Sequence, residues 1–402
     1  MRSDVSHPWW KRTLAVVSIT VWMAWGYIRL MPPSSMIRHG QLLTNRYGVW
    51  CYQNLAYSDV VKLFQTRFLF LHLVPYIQNR IEYPVITGLF MWVTSLGHGI
   101  GSYFFITFVV FELIALMVYF FMERMVPKHA IYFAVFPLLM VYGLLNWDML
   151  GIGFMVLAWY WYKKESFIAS AIAFSFGVFA KLFPIFFLPF IVAELWRKRQ
   201  TRTLWRMVAA FVVTSFVINL PFAIGNLRNW SYFFTYNAGR GLGADIYSNE
   251  WIHGISTSAA NFFSLGVVVL AVLFFMWRVY NGSRVIDATA LTFTVFLFVN
   301  KVYSPQYTLW LFVLAIFAEW PIWTYIVIAL AGLVDYVNSF TVLELISSKS
   351  SSAGWYVNHV FFIGVLYRYV SLAVAGIGAA VALVYSGKTS KDGSGELRTR
   401  VS

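Results

Sequence analysis

Cysteine is nearly absent: the 402 residues contain one, Cys51. That excludes an intramolecular disulfide framework and any cysteine-based metal site. Charge is equally scarce, with Asp, Glu, Lys and Arg together making 11% of the chain against 60% hydrophobic residues and 20% aromatics. A soluble globule of this length coats itself with polar side chains, and this composition cannot supply them. Acidic residues are the rarer sign, 16 against 30 Lys and Arg, for a net charge of +14. No internal repeat is visible. No small-residue cleavage site follows the first apolar stretch, "TLAVVSITVWMAWGYIRLM" at 13–31, which is therefore expected to remain as a helix.

What the chain has instead is a series of apolar runs separated by short basic clusters, the pattern of an all-α polytopic membrane protein. Lys11 and Arg12, Lys163 and Lys164, "RKRQTRTLWR" at 197–206, Arg278 and Arg284, and the tail "GKTSKDGSGELRTRVS" are the clusters. They read as topology signals rather than as nucleic-acid contacts, and the positive-inside rule puts them in the cytoplasm.

Thirteen apolar blocks can be counted between residues 13 and 386. Both chain ends are basic and belong on one side, so one block should not cross. The block at 84–97 is only 14 residues long and runs into the helix-breaking "LGHGIGS", well short of the roughly 20 residues a crossing needs. The expectation is a single integral membrane domain over 1–402 with about twelve transmembrane helices. Residues 1–12 and 387–402 are then cytoplasmic, and 32–83 and 226–257 form two large extracytoplasmic loops. The pairs 130–162 and 167–196 become out-and-back hairpins, thin for two full spans each. The first outer loop mixes aromatics, aliphatics and scattered charge, as interfacial helices do.

Ionisable groups at the edge of hydrocarbon cost a few kcal/mol each on insertion scales, about 2.5–3.5 at the centre. On this threading Asp59, Glu82, Asp148, Lys181 and Lys301 all fall on the outer face. Each has a plainer reading. Asp148 in "NWDML" is placed to cap the helix that follows. Lys301 in "FVNKVYSPQY" sits at a helix end and can snorkel. Glu82 can pair with Arg80 or Lys62, and Asp59 can face water. Lys181 in "FAKLFPIFF" has no carboxylate near it in sequence and reads as an anion site rather than a snorkelling lysine. His72, His98, His253 and His359 lack ligand spacing, so no cofactor and no divalent metal is indicated.

"YSD" at 57–59, "IEYPVITGLFMW" at 81–92, "NWD" at 146–148, "AKLFPIFFLP" at 180–189 and "NKVYSPQYTLWL" at 300–311 stand in the order seen in glycosyltransferase family 87, which the chain resembles over about residues 40–310. These are membrane enzymes of the GT-C class that use polyprenyl-phosphate sugars. The best-known members are similar to actinobacterial polyprenol-phosphate-mannose-dependent α-mannosyltransferases. The resemblance implies a GT-C-like bundle in the plasma membrane, with an extracytoplasmic active site and a catalytic base at Asp59. It implies further site residues at Glu82, Tyr83, Asn146, Trp147, Asp148, Lys181, Lys301, Tyr303 and Gln306. The mannoside-synthesising members carry a histidine in the late loop where this chain has "SPQY", which leaves the acceptor and the sugar open.

The chemistry of the residues agrees with the resemblance and does not rest wholly on it. Fixed cations lower the barrier to losing a phosphate, and Lys181, Lys301 and Arg67 are the donor-phosphate candidates, with Arg240 behind them. The attacking hydroxyl needs a base; Asp59 is the first choice and Glu82 the second. Tyr57, Tyr83, Trp147, Trp230 and Trp251 are placed to stack on sugars or to anchor the interface. Partners are then a polyprenyl-phosphate-linked sugar, a glycolipid or glycan acceptor and membrane lipid. The alternative is a lipid or solute transporter or flippase, which would place charges at midplane between repeated halves.

Overall fold

The computed structural model describes residues 9–242, 247 and 254–396. Trp251 and His253 lie outside the described residues. Among the described residues the regular structure is helical except for a short hairpin pairing Ile37–Arg38 with Gln41–Leu42.

Helix length organises the molecule. Six helices are long and apolar enough to cross a bilayer: Trp9–Leu30, Gly99–Met125, Thr201–Gly225, Thr257–Tyr280, Ile322–Ser347 and Ala353–Val381. At about 1.5 Å per residue each exceeds the roughly 30 Å hydrocarbon thickness. The other apolar blocks form shorter helices: Asp148–Lys163, Phe167–Ala180, Val285–Val299 and Tyr307–Phe317, of 16, 14, 15 and 11 residues. The expected count of about twelve spans thus resolves into six full-length helices and a set of partial ones. The thinness of 130–162 and 167–196 has this cause: 130–145 holds only Ala130–Val135 and Leu138–Tyr142, broken at Pro137, which has no N–H to continue the ladder.

Ion pairs and hydrogen bonds identify one end of the bundle. Arg12, in the first turn of the first helix, bonds Glu123 at the end of Gly99–Met125 with Nε–Oε1 2.9 Å. His129 Nδ1 lies 2.7 Å from the Tyr325 hydroxyl. Arg284 reaches Glu319 at 3.3 Å and Asp287 at 2.7 Å. This is the end that carries the basic clusters. Trp9–Leu30 and Gly99–Met125 are therefore antiparallel, and the block between them returns to the end it left. Its helix, Val85–Ser95, has 11 residues, about 16 Å. It leaves from Pro84 and closes against the first loop, where Gly40 and Gly99 pack backbone to backbone and Ile100 N–H donates to Gly40 O at 2.8 Å. A Cβ on Gly99 would lie 2.6 Å from Gly40 O, and its φ of +84° is one that glycine adopts freely.

Long and partial helices divide the work. Thr201–Gly225 and Thr257–Tyr280 expose Val213, Phe216, Val217, Phe262, Leu265 and Leu270, the all-round apolar surface that lipid accepts. Tyr307–Phe317 is buried from Thr308 to Phe317 and forms the centre of the core. The partial helices start from the basic end and stop well short of the other. Their ends make a floor inside a ring of longer helices.

Candidate active site

Three chain reversals meet at that floor. The first follows Leu138–Tyr142 and carries Asn146. The second lies between Phe167–Ala180 and the turn Phe183–Phe187. There Lys181 takes an extended conformation (φ −154°, ψ 130°), and Pro184 opens the next helical turn, where its missing N–H goes unneeded. The third joins Val285–Val299 to Tyr307–Phe317 and carries Lys301 and Gln306. Asp59 comes from above as the first residue of the helix Asp59–Thr66, whose Val60, Val61, Leu63 and Phe64 are buried. Two bonds clamp this segment to the first reversal: Asp59 N–H donates to Leu145 O at 2.8 Å and Ser58 Oγ to Leu144 O at 2.7 Å.

Between these pieces lies a cavity of about 640 Å³. Eight of the eleven expected site residues line it: Asp59, Arg67, Glu82, Tyr83, Asn146, Lys181, Lys301 and Gln306. Trp147, Asp148 and Tyr303 lie behind its wall. Trp147 is fully buried and meets the Tyr83 ring edge-on at 5.0 Å. Tyr303 is packed under the Arg368 guanidinium, 3.9 Å from its ring centroid, with its hydroxyl 3.1 Å from Thr308 Oγ1.

Five polar side chains form one network on the floor. Asp59 Oδ1 accepts from the Tyr57 hydroxyl at 2.6 Å. Asp59 Oδ2 accepts from Asn146 Nδ2 at 2.7 Å and, more loosely, from the Tyr83 hydroxyl at 3.4 Å. Asn146 Oδ1 accepts from Lys181 Nζ at 3.2 Å. Burial and the neighbouring Asp59 hold the Tyr57 and Tyr83 hydroxyls well above the usual tyrosine range, so both stay protonated and donate. A carboxylate has about four lone-pair positions. Three are taken here, and the carboxylate borders the cavity.

Lys181 does have a carboxylate, supplied by the fold rather than by the local sequence. Its Nζ lies 3.3 Å from Asp148 Oδ1, and Trp310 Nε1 donates to the same oxygen at 2.7 Å. Asp148 does not cap its own helix; Trp147 holds the cap position, and no side-chain cap bond forms. Gly151, one turn on, allows this approach, because a Cβ there would fall 2.8 Å from both Lys181 Cβ and the Trp310 ring. The ammonium also sits 5.2 Å from the Tyr83 ring centroid, within cation–π range.

Glu82 pairs with neither Arg80 nor Lys62. It binds Arg67 in bidentate fashion, Nε–Oε2 2.6 Å and NH2–Oε1 2.7 Å, the planar fork-to-carboxylate match that favours arginine. Arg80 instead donates to Asn229 Oδ1 at 3.2 Å. Lys62 stacks over the Tyr57 ring at 5.2 Å. Lys301 Nζ donates to Ala238 O at 2.8 Å, tying the third reversal to the end of the helix Tyr232–Gly239, whose Phe233, Tyr236 and Asn237 line the opposite wall with Arg240. Trp230 Nε1 donates to Asn219 at 3.1 Å. Among the described residues no three His, Cys, Asp or Glu side chains gather as metal ligands.

Sequence reading did not single out Trp310 or the buried pair Asp335–Arg368, which bond at 2.9 Å. Trp310 carries no signal within an apolar run. Asp335 and Arg368 did carry one, as charges inside apolar blocks, but their pairing spans 33 positions.

The model of glycosyltransferase family 87 matches residues 81–305, more than half of the chain. The matched stretch takes in Glu82, Asn146, Lys181 and Lys301 and begins after Asp59. Neither the curated proteins nor the solved structures contain a match to the chain.

Proposed function

The chain belongs to glycosyltransferase family 87 and is an integral membrane glycosyltransferase; from that premise we propose that it moves a sugar, mannose by resemblance, from a polyprenyl-phosphate donor to a hydroxyl of a lipid or glycan acceptor. The reaction is a single displacement. The acceptor oxygen bonds to the anomeric carbon as the bond from that carbon to the phosphate oxygen breaks. The electron pair leaves with polyprenyl phosphate, and the hydroxyl proton passes to Asp59. Attack opposite the leaving phosphate inverts the anomeric centre.

One observation carries this reading: a carboxylate and an ammonium border the same cavity, joined through one amide. Lys181, with Lys301 and Arg67, supplies positive charge for the departing phosphate, worth most in a site partly closed to water. Asp59 supplies a base whose contribution is typically about 10²–10⁴-fold. Arg67 brings a partner with it, since Glu82 already occupies its fork. The basic end of the bundle faces the cytoplasm in this reading, and the cavity opens to the other side.

The test is incubation of the purified protein with radiolabelled polyprenyl-phosphate mannose and total membrane lipids. Release of polyprenyl phosphate with label appearing in a glycolipid or glycan supports the proposal. Movement of intact donor across a vesicle without bond cleavage would replace it with the transporter reading.

A further inference from the structure

Asn146 is 2% exposed, and its side chain has no hydrogen-bonding capacity left. A primary amide offers two acceptor positions and two donors. Oδ1 accepts from the Trp147 N–H at 2.6 Å and from Lys181 Nζ at 3.2 Å. Nδ2 donates to Asp59 Oδ2 at 2.7 Å and to the Tyr83 hydroxyl oxygen at 2.8 Å. The partners also dictate which way the amide points. A backbone N–H and an ammonium only donate, so they take the oxygen; a carboxylate accepts, so it takes the nitrogen.

We infer that Asn146 is the positioning residue of this site: its one amide, saturated by protein, fixes Asp59 and Lys181 relative to each other and makes no bond to substrate. The inference rests on the proposed roles of Asp59 as base and Lys181 as phosphate cation. The reaction needs the base on the acceptor side and the cation on the phosphate side of one anomeric carbon, so their separation must be set before substrate arrives. A flexible lysine and a carboxylate at the start of a short helix do not set it alone. Asn146 does, because its own backbone is held in the reversal whose Leu144 and Leu145 carbonyls bind Ser58 and Asp59. Side chain and main chain of one segment thus hold the base from two directions.

The charged groups facing this pair are Lys62, Lys181 and Asp148, with Arg67, Glu82, Arg240 and Lys301 lining the same cavity, and Tyr57 and Tyr83 touch it. Tyr47, Tyr52 and Tyr307 are the other titratable side chains near Asp59.

The test uses full-length protein in lipid vesicles as wild type, Asn146→Asp, Asn146→Leu and Asp59→Asn. A hydrophobic carbodiimide, which reacts with protonated carboxyls, is applied across pH, and modification of the Asp59 peptide is read by mass spectrometry. In Asn146→Asp two carboxylates share the place of a hydrogen-bonded pair, so half-modification should move up by about one pH unit or more, and the acidic limb of the turnover profile should move with it. Asn146→Leu, which cannot ionise, should keep donor KM within about threefold while kcat falls about 10²-fold. Loss of both donor binding and turnover in the two Asn146 variants, with Asp59 labelling unshifted, would overturn the inference and leave Asn146 as packing. The two readings fail separately. Unshifted labelling with an inactive Asp59→Asn leaves the base in place and removes the role of Asn146. Shifted labelling with an active Asp59→Asn keeps Asn146 as the group that holds Asp59 and removes Asp59 as base.

Discussion

Lys181 and Asp148 form an ion pair of 3.3 Å in which the carboxylate is wholly buried and the lysine side chain retains 12% exposure. The asymmetry has a functional sense. Asp148, itself held by the Trp310 indole N–H, holds the amine from behind, and the ammonium keeps a face on the cavity. Burying such a pair is weak evidence for stability, since desolvation offsets most of the attraction, but breaking one half is severe.

Lys181→Ala is therefore expected to lose turnover and also to destabilise the fold by about 3–5 kcal/mol, because Asp148 is left uncompensated. Adding Asp148→Asn should restore much of the thermal midpoint in detergent without restoring turnover. Recovery of activity in the double variant would show that Lys181 served only to neutralise Asp148.

Asp59→Asn should reduce transfer by about 10²–10⁴-fold while leaving the thermal midpoint near wild type, since the amide can still take the bonds offered by Tyr57 and Asn146 in part. Turnover within a few-fold of wild type would remove Asp59 as the base.

Gly151→Ala adds one methyl where Lys181 Cβ and the Trp310 ring already stand at 2.8 Å from the ideal position. Overpacking of this kind costs about 1–3 kcal/mol. The displaced lysine should lower kcat more than it raises donor KM, and a full kinetic comparison of the two constants checks it. Gly48→Ala, where a Cβ meets open space within the helix Thr44–Gln53, is the control and should be neutral or slightly stabilising.

Tyr57 and Tyr83 are held protonated well above the ordinary value of 10.0. Between pH 7 and 9 neither should contribute an alkaline limb to turnover. Stability has the opposite sign at high pH. The unfolded chain ionises its tyrosines first, so the contribution of these groups is intact below about pH 10 and falls as the pH rises beyond it. Thermal midpoints measured from pH 8 to 11 should carry no loss from these groups up to about pH 10 and decline beyond it, and the decline should be smaller in Tyr57→Phe.

Antiparallel packing of Trp9–Leu30 and Gly99–Met125, with Arg12 against Glu123, places residues 126–128 at the same end as the N-terminus. A cysteine-free background needs only Cys51→Ala. Single cysteines introduced at 128, 164 and 199 should then label from one side, and cysteines at 45 and 349 from the other. Labelling of 128 and 45 from the same side would mean that the 84–97 block crosses.

Much of the site was legible in sequence because a charge in an apolar setting is itself a signal. Asp59, Lys181 and Glu82 stood out on that ground, and the structure puts all three on one cavity. Their partners were not legible. Lys181 finds Asp148 across 33 positions and Glu82 finds Arg67 across 15, distances that local pattern does not span. Asn146 was named by the resemblance alone and Trp310 not at all, for a different reason: an amide or an indole inside a membrane segment is ordinary, and its meaning lies in which obligate donor or acceptor faces it. The fold behaved similarly. Block length pointed to the aborted crossing at 84–97 and to the thinness of the hairpins. That the ends of those partial helices meet at one cavity is a property of their packing, which composition does not reveal.

The level of that floor is itself a quantity the chain encodes by counting. Each residue added to or removed from the stems bearing Lys181 and Lys301 shifts its tip by about 1.5 Å and turns its side chain by about 100°. Depth and orientation cannot be adjusted separately. Only whole-turn insertions, close to seven residues for two turns, would return both cations to the same bearing at a new height, so the depth of Lys181 and Lys301 within the bundle is quantised by the helix itself.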